Sequence, residues 1–347
     1  MSAPLAKRPT ISDLAEASGV SVATVDRVLN GRLPVREETA RRVYQAASAI
    51  GYHATRLIKQ RMHQELPEYR LGFLLRKPGQ HFYQEFAREL ERAAAQALRF
   101  RCVPIVDSWA GQSPEDIVGQ LNRLAGKTHA VALVSPDHPA VTDAVEALKA
   151  HGIPVFSLLS DFAAGVREGY IGLNNRKAGR TAAWMIAKCA RRPGKVAVFV
   201  SSHRFQGEEL REIGLRSYFR ERAPSFTVLE PLVNLETSEL NYQAMTDLLN
   251  TNPDLVGCHI VGGAIEGAIA AVRAIKPVDP PIVVCDQITP ESRVALADNI
   301  ATMVIATPLE RLCRELVDLM AIAIKDGPAN APGQTFLPFD IYLPENI

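Results

Sequence analysis

No run of apolar residues in this 347-residue chain is long enough to span a bilayer, and the first ten residues, MSAPLAKRPT, lack the apolar stretch of a secretory signal. A transmembrane helix is excluded, and a cytoplasmic protein is expected. Cysteine is sparse: Cys102, Cys189, Cys258, Cys285 and Cys313 are spread along the chain with no C-x-x-C pair. That usage suits a reducing compartment and supplies neither a disulfide framework nor a zinc site. The eight histidines, His53, His63, His81, His129, His138, His151, His203 and His259, show no metal-ligand spacing. No P-loop occurs, Ser201-Ser202 lacks the G-x-S-x-G elbow, and Gly262, Gly263 and Gly267 have neither the spacing nor the position of a dinucleotide fingerprint. No catalytic residue, metal or cofactor is therefore expected, and an enzyme is not expected.

Net charge is also nearly absent, at +1 overall. The balance is uneven: residues 1–65 carry 10 Lys/Arg against 6 Asp/Glu, and the remainder carries 29 against 32. A basic head on a mildly acidic body fits a protein whose head alone meets phosphate.

That head reads as three helices. Thr10 and Asp13 stand in capping-box spacing, so hydroxyl and carboxylate each satisfy a backbone N–H at a helix start. Leu14 and Ala17 form a narrow apolar stripe, Gly19 supplies the left-handed residue of a tight turn, Val20 plugs the angle between helices, and Ser21 caps the second helix. At about 100° per residue, Val25, Val28, Leu29 and in part Val22 share one face of that helix, which leaves Ala23, Arg27 and Asn30 on the other. A third helix over 37–50 buries Val43, Ala46, Ala47 and Ile50 and stops at Gly51. Two short helices meeting at a glycine turn, the second with a free polar face, make a device for reading a DNA groove.

The string TISDLAEASGVSVATVDRVLNGR, followed by VREETARRVYQAASAIGY, resembles without gaps the DNA-binding headpiece of the lac/galactose repressor family, the LacI-type regulators. The resemblance implies that Val22 and Ala23 select among operators, that Arg27 meets a base edge, and that Ser21, Thr24 and Asn30 touch phosphate or hold the turn. Thr10, Tyr52 and Arg61 complete the expected DNA-contacting set. Two departures stand out. Asp26 replaces the family's usual serine and should repel phosphate unless it turns to an arginine such as Arg27 or Arg42. In the hinge YHATRLIKQRM, residues 52–62, Ala54 and Thr55 replace Pro-Asn, and Arg61 stands where an apolar wedge usually kinks the minor groove.

Beyond the hinge, apolar runs alternate with amphipathic helices: 71–75, 102–107, 130–135, 154–159, 195–200, 255–261, 281–286 and 303–307 read as strands. Continuous Val/Ile-rich strands between helices imply parallel sheets covered on both faces, and about 280 residues exceed one small core. The expected fold is thus an all-α helix-turn-helix headpiece (1–52), a hinge (53–67), and an α/β two-lobed effector and dimerisation domain (68–347). The resemblance implies that this domain is periplasmic-binding-protein-like, with two doubly wound parallel sheets. The N-lobe takes about 68–165 and 308–330 and the C-lobe about 166–303 and 334–347, with crossings near Phe162–Tyr170, near Val304–Pro308 and near Gly333.

Ligand then lies between the lobes at the carboxyl ends of the strands. The resemblance puts Phe82 and Tyr83 against a sugar face, Arg211 and Asp286 on ligand hydroxyls, and Asp161, Asn174, Gly263 and Thr307 at further cleft positions. Several of these depart from the family's pattern. Gly262-Gly263 replaces Asn-Asp and bares backbone N–H groups where an anionic or carbonyl group can bind. Leu159 replaces an aspartate, Asn174-Asn175 replaces Asp-Asn, and Thr307 replaces glutamine. Fewer acidic acceptors make a polyol, a modified sugar or a small acid as fitting as a plain hexose. A periplasmic solute receptor shares the two-lobed cleft, but the missing signal stretch argues against it. The expected protein is a transcriptional regulator, in this family more often a repressor. Its partners are a pseudo-palindromic DNA operator, a sugar, polyol or sugar-acid effector and a second copy of itself, with no membrane.

Overall fold

A computed structural model describes residues 8–30, 35–55, 58, 66–111, 113–327, 329 and 331–347. The chain divides into two units, one running up to Tyr69 and including Gln96–Val103, the other made of Arg70–Ala95 and Pro104–Ile347.

The first unit opens with α1 (Ile11–Ser18), α2 (Val22–Asn30) and α3 (Glu37–Ala49). Thr10 and Asp13 form the anticipated capping box: the Asp13 N–H donates to Thr10 Oγ1 (3.3 Å) and the Thr10 N–H to Asp13 Oδ2 (2.7 Å). Gly19 closes α1 at φ +64°, a conformation glycine adopts without a Cβ penalty. Leu14, Val25, Val28, Leu29, Val43, Ala46, Ala47, Tyr52 and Ile58 bury one another in a small core, with Val20 and Ile50 packed at its edge. Ala17 is exposed, because the buried arc of α1 is centred between Leu14, Ala15 and Ser18 and leaves Ala17 to one side. Val22 is 45% exposed. Its angle on α2 matches that of Leu29, but it occupies the helix's first turn, past the reach of the core.

The second unit carries two sheets. In the first, strands run in the order β2 (Arg101–Trp109), β1 (Glu68–Arg76), β3 (Ala130–Leu133), β4 (Val155–Leu158), β5 (Gly169–Leu173) and β12 (Gly333–Leu337). In the second, the order is β7 (Thr227–Val228), β6 (Lys195–Val200), β9 (Leu255–Ile260), β10 (Ile282–Cys285), β11 (Met303–Ala306) and β13 (Asp340–Tyr342), with β8 (Leu232–Val233) also beside β6. Strands β6, β9, β10 and β11 pair in parallel, and β13 runs antiparallel to β11. Alternation along these strands sends Ala197, Phe199, Cys258, Ile260, Val283 and Cys285 to one apolar layer and Val196, Val198, Val200, Val284, Met303 and Ile305 to the other. Each sheet reverses its strand order once, between β1 and β3 and between β6 and β9, which is where a doubly wound sheet opens a crevice.

The crossings differ from the expected boundaries. Strand β5 pairs with β4, so Tyr170 belongs to the first sheet and the chain crosses after Leu173, not near Phe162–Tyr170. The return falls between β11 and the helix Leu309–Asp326. The final crossing lies at 338–339, because β12 adds to the first sheet beside β5 before β13 adds to the second. The glycine-containing β5 and the edge strands β12 and β13 lack the continuous apolar runs that made the eight anticipated strands visible.

Candidate functional site

On the first unit, Val22, Ala23, Arg27 and Asn30 are exposed along one side of α2, while Thr24 and Asp26 are half-buried. The Thr24 N–H donates to Ser21 Oγ (3.2 Å), and the two hydroxyls lie 2.9 Å apart, so Ser21 caps α2. The arginine pairing that would relieve Asp26 of its repulsion is not formed among the described residues: its Oδ1 accepts from the Asn30 side-chain amide at 2.5 Å, one helical turn away. Arg42 instead donates to the Gly19 carbonyl (3.3 Å) and so braces the turn. Tyr52 is buried in the trihelical core with its ring 4.5 Å from that of His53. It anchors the headpiece and is a poor candidate for a groove contact. Arg61 lies outside the described residues.

On the second unit, the residues that follow the strand ends converge. Arg76 after β1, Val134 after β3, Leu159 and Ser160 after β4, Gly262 after β9, Asp286 and Gln287 after β10 and Thr307 after β11 line one cleft, with Phe82, Tyr83, Asn175, Phe205, Glu208, Arg211 and Glu236. Both strand-order reversals open into it. Arg211 spans the cleft floor, donating from Nε to Asn175 Oδ1 (2.9 Å) and from Nη1 to Asp286 Oδ2 (2.6 Å). The other Asp286 oxygen lies 2.9 Å from His259 Nε2. Because a carboxylate accepts and cannot donate, Nε2 carries the hydrogen. Burial pushes the Asp286 carboxyl up, yet Arg211 and His259 outweigh it and hold the group below the usual carboxylate range.

A second polar cluster forms the opposite wall. The Arg76 guanidinium is 1% exposed and lies between two rings, 5.2 Å from the Trp109 centroid and 4.4 Å from that of Phe205. Its Nη1 is 2.9 Å from Glu236 Oε2, although the pair is not aligned as a hydrogen bond. Glu208 accepts from the Ser201 N–H (2.5 Å) and hydroxyl (2.6 Å), and burial, then the nearby Glu236 charge, pushes its carboxyl up to about 7. Burial raises Glu236 too, against the pull of Arg76, Lys77 and the Gly263 amide. The segment that carries Glu236 is clamped from the other lobe: Lys77 Nζ donates to the carbonyls of Leu235 (2.8 Å) and Glu236 (3.2 Å), and Gln80 Nε2 to the latter (3.3 Å). Lys77, Leu235 and Glu236 all have left-handed φ (+43°, +50°, +51°). Non-glycine residues hold such conformations where their surroundings over-determine them.

The position of Arg211 is fixed by the helices Asn175–Cys189 (α7) and Gln206–Arg222 (α8), which follow the three headpiece helices and the body helices His81–Gln96 (α4), Pro114–Ala125 (α5) and Pro139–Ala150 (α6). They cross backbone to backbone: a Cβ on Gly179 would lie 1.9 Å from the Arg211 carbonyl oxygen, and one on Gly214 2.2 Å from that of Arg176. Among the described residues, no group of three or more His, Cys, Asp or Glu side chains is placed to hold a metal ion. Among the same residues, no helix is long and apolar enough to cross a membrane.

Residues 71–328 match the periplasmic binding protein domain family, and residues 10–55 match the bacterial regulatory proteins of the lacI family. The chain belongs to the periplasmic binding protein domain family, and its headpiece matches the lacI family of bacterial regulatory proteins. Its curated relatives include a catabolite control protein A from Priestia megaterium, 27% identical over 146 residues and covering 42% of each chain. Another is the HTH-type transcriptional regulator RegA from Clostridium saccharobutylicum, 35% identical over 82 residues and 24% of each chain. The chain thus spans less than half the length of these relatives. Among solved structures, a solute-binding protein of an ABC transporter from Agrobacterium vitis with bound D-fucose matches 80% of this chain and 96% of its own at TM-score 0.72 and 17% identity. One from Actinobacillus succinogenes with bound D-allose matches 80% and 98% at 0.70 and 18%. At these identities the likeness establishes the two-lobed fold.

Of the LacI-type cleft positions anticipated from sequence, Phe82, Tyr83, Arg211, Asp286 and Thr307 are brought together. Three are displaced. Asp161 faces away, paired with Arg167 at 2.5 and 2.6 Å and bonded by Ser157 and Gln334, so it braces the first lobe. Asn174 caps α7 through the Lys177 N–H, and its neighbour Asn175 enters the cleft. Gly263 gives way to Gly262, whose φ of +83° and closeness to Glu208 leave no room for a Cβ. The bared Gly263 amide does meet an anionic group, but it is the chain's own Glu236.

The shortage of acidic acceptors inferred from Leu159 is also corrected, since Glu208 and Glu236 join Asp286. Arg76 ends an apolar run and Glu208 stands three residues before Arg211 on one helix face, and both signals were readable. His259 breaks the apolar strand 255–260, a mark of a buried polar role. Glu236 follows the two-residue β8, too short to leave a pattern.

Proposed function

We propose that this chain is a LacI-type, sequence-specific DNA-binding transcriptional regulator, acting as a repressor and as a homodimer, whose grip on its operator is set by a small polyhydroxylated effector in the cleft. The observation that carries this reading is that one chain joins two devices: a helix presenting Val22, Ala23 and Arg27 from a packed core, and a cleft of charged and aromatic residues at the strand ends. A single headpiece touches few bases, so two recognition helices in adjacent major grooves of a near-palindromic site supply the specificity. Thr10, Ser21 and Thr24 hold the helix ends at the phosphates, and Arg27 reads a base edge. Effector and operator then share one coupling free energy, and each changes the other's affinity by the same factor.

The test is fluorescence anisotropy with duplexes tiled from DNA beside the protein's own gene, titrated with salt and then with sugars. Selective binding that survives moderate salt and responds to a sugar supports the proposal, as does loss of that response in Arg211→Ala. Equal, salt-erased affinity for every duplex would falsify it. A reporter driven by the selected site separates repression from activation.

A further inference from the structure

We propose that Arg76 and Glu236, one from each lobe, form a ligand subsite that takes an uncharged hydroxyl group and turns away carboxylate and ammonium groups. The inference rests on the cleft being the effector site. Aromatic rings on Trp109 and Phe205 cover the Arg76 guanidinium, so its edge is what remains for hydrogen bonding. Among the described residues, Arg76 Nε has no hydrogen-bond acceptor, and Arg76 Nη1 and Glu236 Oε2, 2.9 Å apart as an ion pair, are not aligned to hydrogen-bond each other or any other group, although all three atoms are buried. Native interiors rarely leave such atoms unmatched, and clusters of them mark where another molecule bonds.

Orphaned donors beside an orphaned acceptor specify the visiting group. A hydroxyl has one hydrogen to give and lone pairs to receive, so it accepts from Arg76 and donates to Glu236 at once. A carboxylate accepts and leaves Glu236 unmatched, and an ammonium donates and leaves Arg76 unmatched.

The charges in the cleft point the same way. Arg211 is engaged by Asp286 and Asn175, and the Arg76 charge is balanced by Glu236, so an entering anion finds no uncompensated positive charge. An entering cation finds both Glu208 oxygens held by Ser201. Glu208, with its carboxyl pushed up to about 7, sheds charge readily and lets the cleft balance two guanidiniums against Glu236 and Asp286. The clamp from Lys77 and Gln80 on the Leu235–Glu236 backbone holds the acceptor opposite the donor. This pairing of lobes makes the subsite complete in the closed cleft.

The experiment is a thermal-shift and calorimetry series on the full chain with matched ligands at up to about 10 mM. One set is D-galactose, D-fucose, D-galacturonate and D-galactosamine; a second is D-glucose, D-allose, D-glucuronate and D-glucosamine; galactitol and D-galactonate form an open-chain pair. A neutral member that binds at least about tenfold tighter than its acid and its amine supports the subsite. An acid or amine that binds as well as its neutral counterpart overturns it while leaving the cleft as a ligand site. If no compound binds, the reading of the cleft as a sugar-type site falls, and this inference with it. Glu236→Gln, which keeps size but removes charge, is expected to narrow the gap between the neutral ligand and its acid by about tenfold, and an unchanged gap overturns the subsite. The wild-type series decides alone if that variant does not fold.

Discussion

Glu208→Gln tests the electrostatics of the cleft without any ligand. The Glu208 carboxyl is fully buried and pushed up to about 7 from its ordinary 4.5, first by burial and then by Glu236. A raised carboxyl pKa means that the folded state holds the proton more tightly than the unfolded chain. Below about pH 4.5 both states are protonated and nothing is lost; as pH rises toward 7 the unfolded chain ionises alone and stability falls; above 7 the loss levels off. At about 1.4 kcal/mol per unit, the plateau is on the order of 3 kcal/mol. Glutamine keeps an oxygen for the Ser201 N–H and offers an amide to its hydroxyl, so it mimics the protonated acid without titrating. Urea unfolding of both proteins at about pH 5 and about pH 8 should therefore show the variant gaining on wild type by roughly 2–4 kcal/mol across that interval. Asp161 and Asp286, whose carboxyls are held low, titrate in both proteins and cancel in the difference. A difference that does not change with pH refutes the argument.

Three further outcomes are expected. Arg27→Ala should cost about 1–3 kcal/mol of operator affinity and relax preference at one base pair, read by anisotropy against single-base variants of the site. Asp26→Ser should tighten DNA binding by about threefold to tenfold at low salt, an advantage that fades as salt screens the lost repulsion and that also frees the Asn30 amide. Gly179→Ala should force α7 and α8 apart at a cost of at least about 1–3 kcal/mol, because its new carbon collides with the Arg211 backbone. Calorimetry should then show loss of ligand binding, with the helical headpiece still reading DNA.

The headpiece was legible almost residue by residue because its cues are local: a capping box, one αL glycine and a 3.6-residue apolar repeat all lie within three turns of each other. Eight strands were legible for the same reason, being largely apolar runs. The cleft was half legible. Arg211 lies in the helix that follows one recognisable strand and Asp286 directly follows another, whereas Glu236 is brought in by a long-range clamp from Lys77 and Gln80 that no local pattern encodes. Asp161 misled because a carboxylate after a strand looks the same in sequence whether it faces a ligand or Arg167, and the choice is made by the distant Gln334 and Gly333. Asn174 and Gly263 each missed by one position, the error that follows when a helix start is placed without knowing which residue is its cap.

The ribbon formed by residues 333–347 gives its first half to one sheet and its second half to the other. A nonsense codon just upstream of Gly333 would therefore strip a border strand from both lobes at once, uncovering the flanks of β5 and β11. Unprotected strand flanks recruit foreign chains, so a late truncation should yield inclusion bodies rather than a shortened but working regulator.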